Sequence, residues 1–327
     1  MGIKIKGVAT CHGSTKLSKD DLYNKYGDKL KETLTFIGRD TCCVAQTDEE
    51  NSLTMACSAA KKCLEKTATD PNDIDIIVFV SETPEYLIPT TSLLIKEKLG
   101  AKKASLVYDM NVNCSGMVHA LDQVGTYMIA KPNYKKALIV GCICSTRFNQ
   151  EDDSFTNSMA GDASAAIIVE HDKECGLIDS IYTCNSEKCE YLTFPACGLS
   201  NIARDDVNAE DKKFSWVPHS VDYLYGNWCH LITQLCERNN LNINDINHFL
   251  FSQFSLGDIK ETLRLLNVDN ANDKFTFVSN QFGYTGNTSP FIALNDAIEN
   301  NKLKLGDKII FCTVGAGYNM SAILYEY

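Results

Sequence analysis

The sequence predicts an α/β protein made of two similar halves, with two sheets layered between helices. Three observations predict this fold. A segment of the chain is repeated 172 residues further on. Apolar runs typical of buried strands alternate with amphipathic helices along the chain. The length of 327 residues, with 44% hydrophobic and 22% charged residues, suffices for two domains with buried cores.

The repeat aligns residues 65–79 with residues 237–251 without a gap. In each copy an amphipathic helix leads into a short loop rich in Asp and Asn, and then into an apolar run that reads as a strand. A second helix follows each of these strands. The four predicted helices are residues 53–66 and 91–99 in the first half, and residues 223–239 and 257–266 in the second.

A second pair of strands extends the repeat, because residues 137–141 correspond to residues 308–312. These runs are apolar on both faces, which predicts mostly parallel sheets covered by helices. The two halves are expected to meet near residue 172. The predicted domains are therefore residues 1–172 and residues 173–327.

The repeat also predicts where a site lies, because ligands in layered α/β folds bind at the carboxyl ends of strands. Residue 286 is the counterpart of Cys114, so residues 113–116 are expected to face residues 286–289. Each segment follows a predicted strand and opens a predicted helix. The strands are residues 105–109 and 276–278, and the helices are residues 118–130 and 290–300.

Cys114 is the cysteine that this position singles out. A helix N-terminus favours an anion, so it is expected to lower the pKa of the thiol and make it a better nucleophile. The alternative is a buried structural thiol. Asn287, in the facing segment, is the matching polar residue of the second half.

The chain has 15 cysteines, an odd number, and no C-x-x-C motif. The N-terminal residues do not have the shape of a signal peptide, so a secreted disulfide framework is not expected. No metal site is expected either, and most of the cysteines read as small buried hydrophobes in a reducing cytoplasm. The net charge of −11 argues against nucleic acid as a partner. No apolar stretch is long enough to predict a membrane span.

Five short motifs resemble those of thiolase-fold condensing enzymes, in particular 3-oxoacyl-(acyl-carrier-protein) synthase III. The resemblance extends over nearly the whole chain. The similar segments are residues 83–91 with 97–100, the nucleophile turn 114–116, the strand entry 161–166, the Gly-Asn-Thr-Ser motif 286–289 and the glycine-rich turn 315–318.

This resemblance implies a thiolase-like five-layered αβαβα sandwich and a homodimer. It also implies that an acyl group passes from coenzyme A, or from the phosphopantetheine of an acyl carrier protein, onto Cys114. These thioesters are substrates, and no bound cofactor is implied. The N–H groups of Cys114 and Ala316 would form the oxyanion hole, with Gly315 and Gly317 allowing close approach of the thioester. The alternative for residues 315–317 is an ordinary turn between strands.

The chain departs from the family in its catalytic set, which is normally Cys, His and Asn. Ser252 stands at the histidine position, Gln253 aligns with the family's Gln, and Ser255 stands where the motif has Asn. Asn287 is retained. A serine hydroxyl donates one neutral hydrogen bond and never becomes cationic. Loading of Cys114 is therefore expected to survive, while decarboxylative condensation is expected to suffer most.

No other histidine is an obvious substitute. His119 lies five residues after Cys114, about 140° away around the helix. His219 is the one histidine expected near the entrance of the site, and the other histidines read as structural residues.

Three further residues are expected to touch the substrate through the resemblance. Arg39 aligns near the adenine contacts of coenzyme A, although residues 37–41 depart from the usual pattern. Ile88 aligns near a residue that lines the acyl pocket of the partner subunit. Gln253, which follows Ser252 in the sequence, is the third residue expected to touch the substrate.

Three functions remain open from the sequence. The first is a specialised acyltransferase or condensing enzyme with a Cys114, Ser252 and Asn287 site, acting by condensation or by simple transfer. The second is a chain-initiating fatty acid synthase with weakened decarboxylation. The third is a non-catalytic acyl-binding or partner subunit, against which the retained Cys114 argues.

Overall fold

The computed structural model describes residues 2–173, 175–221 and 223–327. The strands are β1 (Gly2–His12), β2 (Thr15–Ser18), β3 (Thr41–Val44), β4 (Ile76–Val80), β5 (Leu106–Met110), β6 (Lys136–Ile143), β7 (Ala163–Asp172), β8 (Gly176–Cys184), β9 (Leu192–Thr193), β10 (Ser215–Trp216), β11 (His248–Phe251), β12 (Lys308–Gly315) and β13 (Asn319–Glu326). The α-helices are α1 (Lys19–Tyr26), α2 (Lys31–Ile37), α3 (Ser52–Lys66), α4 (Thr91–Leu99), α5 (Gly116–Ala130), α6 (Ser154–Met159), α7 (Tyr223–Arg238), α8 (Leu256–Leu265), α9 (Ser279–Phe282) and α10 (Ser289–Glu299).

Two sheets form the framework of the fold. The first has the strand order β1-β7-β6-β4-β5, and the second has the order β8-β13-β12-β11. Strands β8, β13, β12 and β11 therefore repeat the order of β1, β7, β6 and β4. The chain leaves the first sheet at Asp172 and enters the second at Gly176. The duplicated strand order confirms the relationship that the sequence repeat predicts.

The prediction of mostly parallel sheets is wrong for the pairs that involve β7 and β13. Strand β4 runs parallel to β5 and β6, and β11 runs parallel to β12. Strand β7 is antiparallel to β1 and β6, and β13 is antiparallel to β8 and β12. Strands β12 and β13 are joined by the short turn 316–318, which suits an antiparallel pair, whereas the longer connection 144–162, which contains α6, joins β6 to β7.

The five layers of the fold explain why its strands are apolar on both faces. Helices α5 and α10 pack between the two sheets, α3 and α4 cover the outer face of the first sheet, and α7 and α8 cover the outer face of the second. In β4, Ile76 and Val78 face the central helices, while Ile77 and Phe79 face α3. Both faces are thus buried, so the strand reads as a continuous apolar run.

The predicted strand at residues 276–278 is absent from the described fold. In the described fold, one backbone bridge, between Phe249 and Phe275, pairs this region with β11. The side chain of Gln253 takes up the backbone groups instead: Nε2 donates to the carbonyl of Thr276 at 3.1 Å, and Oε1 accepts from the N–H of Val278 at 2.9 Å. The side-chain amide of Gln253 therefore satisfies backbone groups that a neighbouring strand would otherwise pair with.

The cysteines are free thiols throughout. Four of them, Cys57, Cys63, Cys142 and Cys144, pack in the core between the first sheet and α3. They act there as small hydrophobes. No helix in the described part of the chain has the length and apolar character needed to cross a membrane.

A hydrogen bond between Tyr325 and strand β1 joins the two sheets at a β-bulge in β1. The pairing of β1 with β7 shifts register between Ile5 and Gly7. The hydroxyl of Tyr325, on β13 of the other sheet, accepts the buried N–H of Ile5 at 2.6 Å. A donor left over by the bulge is thus satisfied from the opposite half of the molecule.

Tyr325→Phe is expected to lower the free energy of unfolding by about 1–3 kcal/mol, because it leaves the N–H of Ile5 buried without an acceptor. Urea unfolding followed by circular dichroism measures the change. Tyr327→Phe is the matched control, with an expected change within about 0.5 kcal/mol. Equal effects of the two substitutions would contradict this account.

Candidate active site

The nucleophile turn joins β5 to α5. Asn113 adopts a left-handed conformation, with φ of 49°, and the N–H of Gly116 donates to its carbonyl at 3.0 Å. Gly116 is required here, since a Cβ at this position would lie 2.4 Å from Cγ1 of Val80. The turn therefore brings Cys114 out of the sheet, half-buried, at the start of α5.

The facing turn of the second half lies against Cys114, as the repeat predicts. It is a short 3₁₀ turn, Gly286–Thr288, that leads into α10. A Cβ on Gly286 would lie 3.8 Å from Sγ of Cys114 and 3.2 Å from Oε1 of Glu82. Gly286 also has a φ of 51°, so both space and backbone conformation favour glycine here.

Asn287 is 1% exposed, and neither Nδ2 nor Oδ1 has a hydrogen-bond partner among the described residues. Its amide lies against the backbone of Gly141, where a Cβ would be 2.4 Å from Oδ1. A buried amide without any partner is unusual in a folded protein. This polar group is the one feature of Asn287 that fits the predicted role of a hydrogen-bond donor, which stays a prediction.

Ser252 is fully buried at the end of β11, and its hydroxyl holds neighbouring structure. Its Oγ accepts the N–H of Val314 at 3.2 Å. The residue at the usual histidine position therefore binds backbone next to the glycine-rich turn, and it does not itself line the cavity in front of Cys114.

Tyr284 occupies the space beside the thiol, and its importance is not apparent from the sequence. Its hydroxyl is close enough to Cys114 and Ser252 for both residues to influence its pKa. Its ring packs edge-on against Phe254, with the centroids 5.5 Å apart. Burial, with the nearby Cys114 and Glu82, raises the pKa of Tyr284 well above its ordinary value, so the hydroxyl stays a neutral hydrogen-bond donor.

Glu82 is the second residue that the sequence analysis missed. The thiol of Cys114 donates to Oε1 of Glu82 at a sulfur–oxygen distance of 3.8 Å, and Oε2 has no partner among the described residues. Burial raises the pKa of Glu82 to about 7. Glu82 immediately precedes the segment 83–91 that carries the family resemblance, and this adjacency was the available signal.

The pKa of Cys114 itself is raised well above its ordinary value, first by burial and then by the negative charge of Glu82. The expectation that the helix N-terminus lowers the thiol pKa is therefore wrong for the free site. Near neutral pH, Cys114 is a thiol and needs a base before it attacks.

A cavity opens in front of the thiol. Cys114, Glu82 and Tyr284 form part of its wall, together with the backbone of Gly315 and Ala316. Most of the remaining wall is apolar, and it includes Ile143, Met159, Ala160, Leu192, Phe214, Trp216, Val221, Leu224, Phe254 and Val314. The cavity therefore suits an acyl chain next to a reactive thiol.

The glycine-rich turn abuts the nucleophile turn. A Cβ on Gly315 would lie 3.0 Å from the carbonyl oxygen of Val112 and 3.2 Å from Oγ of Ser115. The side chain of Asn113 donates to the carbonyl of Ala316 at 3.0 Å. Gly317 has a φ of 111°, which favours glycine. This contact places Ala316 next to Cys114, while the oxyanion-hole role of their N–H groups stays a prediction.

None of the three residues that the resemblance assigns to substrate contacts lines this cavity, and Ile88 is assigned to the pocket of the partner subunit. Arg39 is 3% exposed, and its guanidinium donates to the carbonyls of Met159, Gln253 and Phe254. It holds the loop after β11 and is not at the cavity mouth. The side-chain amide of Gln253 is occupied by backbone groups, as described above. Ile88 is 90% exposed and lies outside the cavity of its own chain.

None of the six histidines, all of which lie in the described residues, lines this cavity. His119 is hydrogen-bonded through Nδ1 to the carbonyl of Ser115 at 3.0 Å. His219 lies beyond the cavity and is bonded to the hydroxyl of Tyr318 and the carbonyl of Val217. Within the described residues, no cluster of His, Cys, Asp and Glu is arranged to hold a metal.

Comparison with known proteins identifies the family. The family model described as 3-oxoacyl-[acyl-carrier-protein] synthase III matches residues 108–186, and the model of its C-terminal part matches residues 236–327. Together they cover just over half of the chain. The chain belongs to the 3-oxoacyl-(acyl-carrier-protein) synthase III family. This family consists of acyltransferases, and the resemblance that the motifs indicate is confirmed.

Individual relatives agree with this assignment. The chain is 27% identical to β-ketoacyl-[acyl-carrier-protein] synthase III of Clostridium beijerinckii over 85% of both chains. It is 26% identical to the enzyme of that name from Coxiella burnetii over 99% of this chain and 98% of the relative.

Solved structures show the same fold. The structure of 3-oxoacyl-[acyl-carrier-protein] synthase III from Aquifex aeolicus superposes over the whole of both chains, with a TM-score of 0.87 and 23% identity. The priming β-ketosynthase of the R1128 polyketide pathway has a TM-score of 0.87 at 18% identity, covering 99% of this chain and 96% of its own. The thiolase-like five-layered sandwich is thus confirmed.

Glu82→Gln is expected to stabilise the protein more at high pH than at low pH. The folded-state pKa of Glu82 is raised from 4.5 to about 7, so the wild-type protein loses stability as the pH rises through this range. Between about pH 5.5 and about pH 8, the variant should gain about 2 kcal/mol relative to wild type. Urea unfolding at the two pH values measures this gain, and a pH-independent difference would contradict the assignment.

Proposed function

We propose that this chain is an acyltransferase that takes an acyl group from a pantetheine thioester onto Cys114 and passes it to an acceptor. The observation that carries the proposal is the position of Cys114, a half-buried thiol at the start of α5 that faces a largely apolar cavity. A structural cysteine would not need a cavity in front of its sulfur. Membership of an acyltransferase family supports the same function.

The donor would be an acyl-coenzyme A or an acyl carrier protein, because a pantetheine arm carries a thioester into a recessed site. The acyl carrier protein is named in the relatives from Clostridium beijerinckii and Coxiella burnetii. The pathway would be fatty acid, polyketide or another specialised biosynthesis. We place it in the cytoplasm, as the composition indicates, and we assign it no resident cofactor.

The loading step uses the groups around the thiol. Glu82, whose Oε1 lies 3.8 Å from the thiol, takes the proton of Cys114 as the sulfur attacks the thioester carbonyl, and the N–H groups of Cys114 and Ala316 would stabilise the oxyanion. The bond from the carbonyl carbon to the pantetheine sulfur then breaks, and the proton passes to that sulfur. These contacts favour catalysis over the non-catalytic partner subunit that the sequence left open, since a binding subunit needs neither a nucleophile nor donors around it.

A homodimer is also part of the proposal. Strand β5 is an edge of the first sheet, and an unpaired edge is a ready surface for a second copy. The loop before α4 exposes Tyr86, Leu87 and Ile88, with Ile88 90% exposed. Exposed apolar residues next to a free edge support an interface here. In such a dimer Ile88 would reach the acyl pocket of the partner, as the sequence predicts.

Incubation with acyl-coenzyme A is expected to add one acyl mass to the wild-type protein and none to Cys114→Ala, as measured by intact-protein mass spectrometry. Cys184→Ala removes an exposed thiol and is the matched control, which should still be acylated. Acylation of Cys114→Ala, or no acylation of wild type by acyl-coenzyme A or acyl carrier protein donors, would overturn the proposal.

Ile88→Asp is expected to convert the dimer to a monomer, because it places a charge in a desolvated apolar contact. Sedimentation velocity measures the mass. Leu305→Asp changes an equally exposed residue, at 88%, on the loop before β12 and should leave the dimer intact. A monomeric wild-type protein, or a dimeric Ile88→Asp variant, would refute this interface.

A further inference from the structure

Glu82 is a carboxyl group that the family motifs do not include, and its part in loading leaves open what it does once Cys114 carries the acyl group. We propose that Glu82 is the proton acceptor of the transfer step, and that the acyl group therefore goes to an oxygen or nitrogen nucleophile that carries a proton. This inference rests on the proposed function, because it concerns the discharge of an acyl group held on Cys114.

The position of the Glu82 carboxyl group suits a general base. Oε1 lies 3.8 Å from Sγ of Cys114, and Oε2 is buried without a partner among the described residues. Glu82 is also part of the cavity wall, so a substrate bound beside the thioester meets it. Gly286 packs against Oε1, where a Cβ would lie at 3.2 Å, and this contact limits the movement of the carboxyl.

No cation neutralises this carboxyl. Among the described residues that line the cavity there is no Lys, Arg or His. A carboxylate that is not engaged in an ion pair keeps its affinity for a proton, which a general base requires. A structural carboxylate would instead have both oxygens occupied, as Asp162 does with the N–H groups of Ala45 and Thr146.

The same carboxylate opposes a decarboxylating acceptor. Loss of CO₂ from a malonyl thioester produces an enolate oxyanion, which needs preorganised donors or cations around it. Here the histidine position holds Ser252, whose hydroxyl accepts the N–H of Val314 and does not line the cavity. An enolate and a malonyl carboxylate would both lie near a second negative charge, and like charges in a desolvated site repel.

The proposed step conserves atoms and charge without an oxidant or a reductant. The acceptor gives its proton to the Glu82 carboxylate while its oxygen or nitrogen forms a bond to the acyl carbonyl carbon. The carbon–sulfur bond to Cys114 then breaks, and Sγ takes the proton from Glu82. The products are an ester or an amide and the free thiol, with Glu82 again ionised.

The charge state of Glu82 gives this step a pH dependence. The titratable groups that face the carboxyl are Cys114, on the turn before α5, and Tyr284, before the Gly286 turn. In the acyl-enzyme Cys114 is a thioester and does not titrate, and the pKa of Tyr284 is raised far above neutrality. Acyl discharge should therefore follow Glu82 alone and rise with pH, with a midpoint at or above about pH 7.

The test starts from acyl-enzyme that has been prepared and weighed, so that loading and discharge are separated. Full-length protein is acylated on Cys114 with an acyl-N-acetylcysteamine thioester, and excess donor is removed. Ethanol, ethanolamine or malonyl-N-acetylcysteamine is then added, and the loss of the acyl mass is followed over time. The variants are Glu82→Gln and, as the matched control, Glu85→Gln, which changes an exposed carboxylate of the same loop.

The expected result is that ethanol or ethanolamine discharges the wild-type acyl-enzyme faster than the malonyl thioester does. Glu82→Gln should slow this discharge by about 10²–10⁴-fold, and Glu85→Gln should leave it unchanged. Failure of the wild-type protein to form any acyl-Cys114 would refute the proposed function instead. Equal discharge by wild type and Glu82→Gln, or faster discharge by the malonyl thioester with release of CO₂, would overturn this inference.

The pH profile of wild-type discharge is a second readout that does not depend on how a variant folds. The rate should rise through about pH 7 and then level off. A flat profile, or a rate that falls as the pH rises, would contradict a carboxylate base.

Discussion

The close approach of the α5 and α10 starting turns, in the middle layer between the two sheets, is the constraint on which the site depends. Three glycines make it possible. A Cβ would meet Val80 at Gly116, Met117 and Asn287 at Gly141, and Ile143 and Glu82 at Gly286, all at 3.2 Å or less. The duplication brings the turns together, and because these three glycines have no side chains, there is room for Cys114, Asn287 and Glu82 between the turns.

Within this layer a tyrosine and a glutamate lie beside the thiol. Ser252, at the usual histidine position, is shorter than a histidine, and its hydroxyl binds the backbone of Val314. Tyr284 and Cys114 both have raised pKa values, so the resting site is neutral apart from Glu82. In the proposed mechanism the reaction starts from a thiol, and the Glu82 carboxyl group moves the proton.

The sequence predicted the layers, the position of Cys114 and its partnership with the Gly286 turn, because periodicity and an internal repeat report directly on packing. It did not predict Tyr284 or Glu82. Their contacts with Cys114 join residues far apart in the chain, and a lone Tyr or Glu carries no periodic signal.

The predicted direction of the Cys114 pKa shift was wrong for a related reason, since the helix N-terminus is visible in the sequence whereas burial and a distant carboxylate are not. Arg39 and Gln253 align with substrate contacts, yet their polar groups are occupied by backbone that only the fold brings near.

The pH dependence of Cys114 alkylation tests most directly whether the site begins as a thiol beside a carboxyl group. Iodoacetamide reacts with the thiolate, so its rate at Cys114, followed by peptide mass spectrometry, reports the ionised fraction. The account predicts slow alkylation at neutral pH that increases only above the ordinary range of a cysteine, because burial and Glu82 both raise the pKa of Cys114. A fast rate that has already levelled off at neutral pH would show a preformed thiolate and would contradict it.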